Sequence, residues 1–138
     1  MEQLIIKKTW MDSNMYQINI KAYSKHVIAD TYTYVCTEKM NELIAKLTEF
    51  FEWKVNRVEW KTSQRGNEYG IDVELCFYGD KLGHLCCDIF MEIGDSGVGV
   101  DGECKFKISN FDYQNLISFA NKLKEMNNAE IGYAVNLT

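Results

Sequence analysis

The sequence predicts an α+β domain of two layers, in which a mainly antiparallel sheet carries two amphipathic helices on one face. Three observations lead to this prediction. Two segments space their apolar residues as a helix does, several runs alternate apolar and polar residues, and short polar loops join those runs. Strands joined by short loops pair antiparallel. Their apolar faces need a covering layer, which the helices supply.

Two helices are predicted, from Glu38 to Glu52 and from Phe111 to Met126. Thr37 is the expected N-cap of the first, because its hydroxyl can accept a hydrogen bond from a free N–H in the first turn. Ser109 and Asp112 predict a capping box at the start of the second. The apolar stripes consist of Met40, Leu43, Ile44, Leu47, Phe50 and Phe51 in the first helix and Leu116, Ile117, Ala120 and Leu123 in the second.

The remaining segments indicate strands. Alternation is clear in residues 16–22, 71–77, 84–93 and 104–108, and residues 31–36 are rich in β-branched and aromatic side chains. Residues 55–62 have a mixed pattern, and the weaker candidates lie at residues 4–10 and 131–137. The predicted connections include loops at residues 63–67 and 78–83 and a glycine-rich excursion that begins at residues 94–97.

A strand–strand–helix unit occurs twice in this pattern. Aligning Leu43 with Leu116 also aligns Val35 with Ile108 and Ile18 with Met91. An internal duplication explains this repeat, and so do two ordinary units of the same class.

Composition predicts one domain over residues 1–138. The net charge of −5 predicts no binding to nucleic acid or to anionic membranes and favours a basic partner, although plain solubility also explains it. Five cysteines without a paired spacing, and an N-terminal apolar run too short for a signal peptide, predict free thiols in the cytoplasm. No run approaches the roughly 20 apolar residues of a membrane span.

Candidate chemistry is sparse. Alternation places His84, Cys86 and Asp88 on one face and Cys87 on the other, so too few ligands converge for a structural zinc site. The glycine-rich segment that begins at Gly94 lacks the lysine and hydroxyl of a phosphate-binding loop. We therefore expect no metal, no cofactor and no catalytic residues. The alternative is a small ligand-binding or enzymatic domain that uses His84 and nearby cysteines.

A partner-binding surface is predicted on the polar sides of two neighbouring strands. Glu74 and Asp88 should approach one another there, and a basic partner would relieve the repulsion between them. Phe90 would supply an apolar anchor. An ordinary solvated sheet face is the alternative. Trp53 is expected in the core, and burial is also the expectation for Trp60. The predicted binding residues are Asp72, Glu74, Asp88, Phe90 and Glu92.

The order of elements resembles WapI-type immunity proteins, which are small cytoplasmic inhibitors of bacterial polymorphic or contact-dependent toxins. The resemblance spans residues 16–126 and rests on element order and hydrophobic pattern. It is carried by Gly70-Ile71-Asp72-Val73-Glu74-Leu75, the hairpin that ends at Ile93, Cys104-Lys105-Phe106-Lys107-Ile108 and Tyr113-Gln114-Asn115-Leu116-Ile117-Ser118-Phe119. It implies a non-enzymatic protein that binds and neutralises a cognate toxin. The net charge of this chain suits a basic toxin. The alternative is a phage-encoded protein inhibitor, which would bind its target through the same kinds of interaction.

Overall fold

A computed structural model describes residues 2–62, 71–95 and 98–138 of the chain. These residues form eight strands and two helices, which confirms the α+β class. The helices are α1 (Thr37–Phe51) and α2 (Tyr113–Leu123), and a 3-10 turn follows at Met126–Asn128. The strands are β1 (Gln3–Met11), β2 (Tyr16–Tyr23), β3 (Ile28–Val35), β4 (Arg57–Lys61), β5 (Val73–Gly79), β6 (Leu85–Asp95), β7 (Gly99–Ile108) and β8 (Ala134–Asn136). The loop predicted at residues 63–67 lies outside the described residues, and so do residues 96–97 of the predicted glycine-rich excursion. The rest of that excursion is wrong, because β6 runs to Asp95 and β7 already begins at Gly99.

The strands form two four-stranded sheets, not the single sheet that was predicted. The first sheet has the order β3-β2-β1-β8, and the second has the order β4-β5-β6-β7. Every pairing between neighbouring strands is antiparallel, as predicted. A hydrogen bond joins the two sheets, because the Thr33 hydroxyl of β3 donates to the carbonyl of Ile71, just before β5, at 2.6 Å.

The repeat is longer than the predicted unit. Among the described residues, each half of the chain has three strands, a helix and a fourth strand. The fourth strand of each half leaves its own sheet: β4 pairs with β5 of the second half, and β8 pairs with β1 of the first half. Each sheet therefore takes three strands from one half and one strand from the other.

The core lies between the sheets and the helices. The buried faces of both sheets and the apolar stripes of both helices belong to one hydrophobic cluster. The stripe of α1 is as predicted except for Phe51, which is half-buried. In α2, Phe119 takes the buried position expected for Ile117. Trp60 is buried, as expected, and its indole N–H donates to the carbonyl of Lys39 at 2.9 Å.

The helix starts differ from the predictions by a few residues. Thr37 is the first helical residue of α1, and the N-cap position belongs to Cys36, which makes no side-chain cap bond. The capping box of α2 begins at Asp112 instead of Ser109. The Asp112 carboxylate accepts from the backbone N–H of Asn115 at 2.8 Å, and the Asn115 side chain accepts from the backbone N–H of Asp112 at 2.9 Å.

A buried lysine fixes the segment after α2 against the first sheet. Lys8 is fully buried, and its ammonium donates to the carbonyls of Met126, Asn127 and Ala129 at 3.1, 3.3 and 2.7 Å. It also lies 4.5 Å from the ring centre of Tyr16. Burial lowers the pKa of this ammonium, because the charged form loses solvent. Hydrogen bonds from the ammonium to three carbonyls offset part of that loss.

Candidate functional site

The outer side of the second sheet holds the predicted binding residues, but only some of them are placed as expected. Glu74, Asp88 and Phe90 are half-buried on this side. Asp72 precedes β5 and is 4% exposed, so the prediction that it lies on an exposed face is wrong. Glu92 is half-buried, and its carboxylate accepts from the backbone N–H of Asp72 at 2.8 Å, which ties the start of β5 to β6.

The strand register changes the expected charge pairing. Glu74 lies opposite Phe90, and Asp88 lies opposite Cys76. The two carboxylates are therefore diagonal neighbours and do not lie directly opposite one another. Asp88 accepts a hydrogen bond from the Tyr78 hydroxyl at 2.9 Å. The Asp88 carboxylate therefore has a partner within the sheet.

Basic residues on the flanking strands cancel most of the expected acidity. Lys61 of β4 bridges to Glu74 at 2.9 Å. Lys107 and Lys105 of β7 lie opposite Asp88 and Phe90. We call this side the charged face, defined by Arg57, Glu59, Lys61, Glu74, Cys76, Tyr78, Asp88, Phe90, Glu103, Lys105 and Lys107. It is a surface of mixed charge, because β4 and β7 each contribute lysine to it.

The charged face is concave and internally paired. A depression of about 380 Å³ lies over its centre. Tyr78 lies between two cations, with the Arg57 guanidinium 5.5 Å and the Lys107 ammonium 5.6 Å from the ring centre. The ammonium of Lys107 beside the Tyr78 hydroxyl has a raised pKa, because that hydroxyl bonds the charged form. Such internal pairing leaves fewer charges available to a partner.

The histidine and cysteines of the alternative hypothesis do not converge on one reactive site. His84 is exposed in the β5–β6 turn, with its Nδ1 3.4 Å from the Asp80 carboxylate. Cys86 and Cys87 are buried, and burial raises the pKa of both thiols. A raised pKa disfavours the nucleophilic thiolate at neutral pH. Within the described ranges, no three His, Cys, Asp or Glu side chains are grouped so that they could hold a metal ion.

The outer side of the first sheet carries an exposed aromatic cluster that the sequence did not predict. Trp10, Tyr32 and Tyr34 are 43%, 47% and 37% exposed. The rings of Trp10 and Tyr34 meet edge to face, with centroids 5.9 Å apart. We call this side the aromatic face, defined by Trp10, Tyr23, Ile28, Tyr32 and Tyr34. Large exposed apolar patches on folded proteins commonly mark interaction sites.

A β-bulge places Trp10 on the aromatic face. Lys8 pairs with Ile18, but Trp10 pairs with Gln17, so β1 contains one extra residue, Thr9, at this point. Under regular alternation, without a bulge, Trp10 would point to the same side of the sheet as Lys8, into the core. Bulges often redirect a side chain near a functional site. Regular alternation in the sequence could not reveal this change of side.

The strand that carries most of the aromatic face, β3, has few charged residues for an outer strand. β3 is an outer strand of the first sheet, and Asp30 is its single charged residue. The edge strands of the second sheet carry more charge: Arg57, Glu59 and Lys61 on β4 and Asp101, Glu103, Lys105 and Lys107 on β7. Charged side chains commonly protect sheet edges from pairing with other chains. β3 lacks most of that protection.

Comparison of the chain with protein-family models, with curated proteins and with solved structures found no match. No helix in the described part of the chain is long and apolar enough to cross a membrane.

Proposed function

We propose that this chain is a non-enzymatic immunity protein, which binds a cognate bacterial toxin and neutralises it by covering its active site or another surface that it needs. The observation that carries this proposal is the aromatic face, where Trp10, Tyr32 and Tyr34 stand exposed on one side of an open sheet. Tryptophan and tyrosine are the residues that most often dominate the energy of protein interfaces. The WapI-type resemblance supplies the class of partner.

The aromatic face is suited to tight binding because its residues already stand on paired strands. Its side chains stand on paired strands, and the ring contact between Trp10 and Tyr34 restricts both. A pre-ordered surface loses less conformational entropy on binding. Tyrosine and tryptophan also offer a large contact area with few rotatable bonds.

The net charge of the chain would act mainly before contact. A net charge of −5 attracts a basic toxin, such as a nuclease, over a distance and accelerates encounter. The aromatic side chains would then hold the complex. We propose the cytoplasm as its location, since the five thiols stay reduced there.

Co-expression with the product of the adjacent upstream gene tests the proposal. We expect this product to arrest growth when it is expressed alone, and growth to recover when the present protein is expressed beside it. The two proteins should also purify together at a 1:1 ratio. If the present protein gives no protection and no complex forms, an immunity function for this pair is ruled out.

A further inference from the structure

Trp53 lies on the surface at the end of α1, contrary to the prediction that it packs into the core. Its side chain is 77% exposed. The residue follows the C-cap Glu52, and its backbone φ is 64°. This left-handed conformation is unfavourable for any residue with a Cβ atom, and glycine usually occupies it.

The turn at Trp53 needs the left-handed backbone but not the indole. The backbone N–H of Trp53 donates to the carbonyl of Phe50 at 3.1 Å, and that of Lys54 donates to the carbonyl of Glu49 at 2.9 Å. These bonds close the helix end in the manner of a Schellman motif. Glycine would make the same bonds without strain. A strained residue whose side chain is mostly outside the core indicates a role other than folding.

The indole of Trp53 packs against a neighbouring ring. Its centroid lies 5.0 Å from that of Tyr113, with 35° between the ring planes. Tyr113 in turn stacks on Phe50, which is buried, at 6.1 Å. The core thus supports a column of three rings, and Trp53 stands at its exposed end.

The surroundings of this column are electronegative. α1 ends here, so its last carbonyls present the negative end of the helix dipole, and no basic residue lies in the last turn. Glu49 and Glu52 are exposed in this segment. Lys54 is the cation of the segment, and it bridges to Glu52 at 3.0 Å. Asp112 adds a further carboxylate next to Tyr113 in the chain.

We propose that Trp53 and Tyr113 form a binding site for a cationic side chain, arginine or lysine, of a basic protein partner. The face of an indole attracts a cation, and nearby carboxylates and a helix C-terminus strengthen that attraction. The site is distinct from the aromatic face, which lies on the first sheet. It does not depend on the partner being a toxin.

The probe is an acetylated, amidated tetra-arginine peptide, titrated calorimetrically at low salt. Trp53→Gly keeps every charge of the protein, removes the indole and relieves the strain of the left-handed backbone. We expect this variant to bind the peptide roughly two- to thirtyfold more weakly. The control is Leu82→Ser, which removes a side chain of similar exposure, 79%, from the β5–β6 turn and should leave the affinity unchanged. Equal affinity in Trp53→Gly and the wild type, or equal weakening in both variants, would overturn the proposal.

Thermal unfolding provides the second measurement. Trp53→Gly should unfold at the wild-type temperature or above it, because relief of backbone strain offsets the lost ring contact. A clear fall in its unfolding temperature would show that Trp53 serves the fold and would contradict the inference. Because neither measurement needs a toxin, failure here is distinguishable from failure of the proposed immunity function.

Discussion

Two threonines of β3 are buried side by side on the inner face, yet their hydroxyl groups are in different situations. Thr33 donates to the Ile71 carbonyl at 2.6 Å and is 2% exposed. Thr31 is 3% exposed, and its hydroxyl has no hydrogen-bond partner among the described residues. Thr33 therefore contributes to the junction between the sheets, while Thr31 carries the cost of an unsatisfied buried group.

Replacement of each threonine by valine should shift stability in opposite directions. Thr33→Val leaves the Ile71 carbonyl without this bond, so the free energy of unfolding should fall by about 1–2 kcal/mol. Thr31→Val removes an unpaired hydroxyl, so its free energy of unfolding should stay equal or rise by up to about 1 kcal/mol. Urea unfolding of the two variants measures both effects. A loss of the same size in both would contradict this interpretation.

Cys87 predicts a specific dependence of stability on pH. Burial holds the pKa of this thiol well above its ordinary value of 9.0. At alkaline pH the unfolded chain therefore loses a proton that the folded chain retains, so this contribution to stability falls as pH rises. Between about pH 8 and about pH 10, Cys87→Ala should lose less of its free energy of unfolding than the wild type.

The control for the pH experiment is Cys104→Ala, which removes a half-buried thiol from the edge strand β7. This variant should follow the wild-type pH profile more closely than Cys87→Ala does. Identical pH profiles for all three proteins would mean that the buried thiol does not contribute to the alkaline loss.

At the scale of elements, the two helices begin in different ways. Asp112 and Asn115 form a complete capping box at α2, whereas α1 has no side-chain cap bond at Cys36. Asp112→Ala should therefore lower the free energy of unfolding by about 1 kcal/mol. Thr37→Ala should have almost no effect, since Thr37 is already inside the helix. Chemical denaturation measures the free energy of unfolding of the two variants. A larger fall in Thr37→Ala than in Asp112→Ala would show that Thr37 is the functional cap of α1.

Sequence patterns predicted the helices and strands better than they predicted the charge on the outer side of the second sheet. Helical and strand periodicities located both helices and the alternating strands, because one buried face imposes those patterns. The outer side of the second sheet was expected to be acidic, but its charge is mixed, because β4 and β7 bring Lys61, Lys105 and Lys107 beside Glu74 and Asp88. Pairing between distant strands cannot be read from alternation within one strand. The bulge that turns Trp10 outward cannot be read from that alternation either.

The whole molecule is held together by exchange of strands between its halves. β4 completes the sheet of the second half, and β8 completes the sheet of the first. One hydrophobic cluster includes residues of both halves. Neither half can therefore satisfy its strands and its apolar surface alone.

Division of the chain into fragments 1–66 and 67–138 tests this dependence. Each fragment alone should lack cooperative thermal unfolding, because a small chain that lacks a strand partner buries too little apolar surface. An equimolar mixture should recover the circular dichroism spectrum and the cooperative transition of the intact protein. Cooperative unfolding of an isolated fragment would show that its half folds independently.

At the same scale, the central claim is that the protein binds another protein through the aromatic face of the first sheet. The most direct measurement compares two matched double variants in their affinity for the co-purified partner. Trp10→Ser with Tyr34→Ser alters the aromatic face, and Tyr78→Ser with Phe90→Ser alters the charged face. We expect the first pair to weaken binding by at least about a hundredfold and the second by less than about threefold. The reverse order, or no loss in the first pair, would contradict the account.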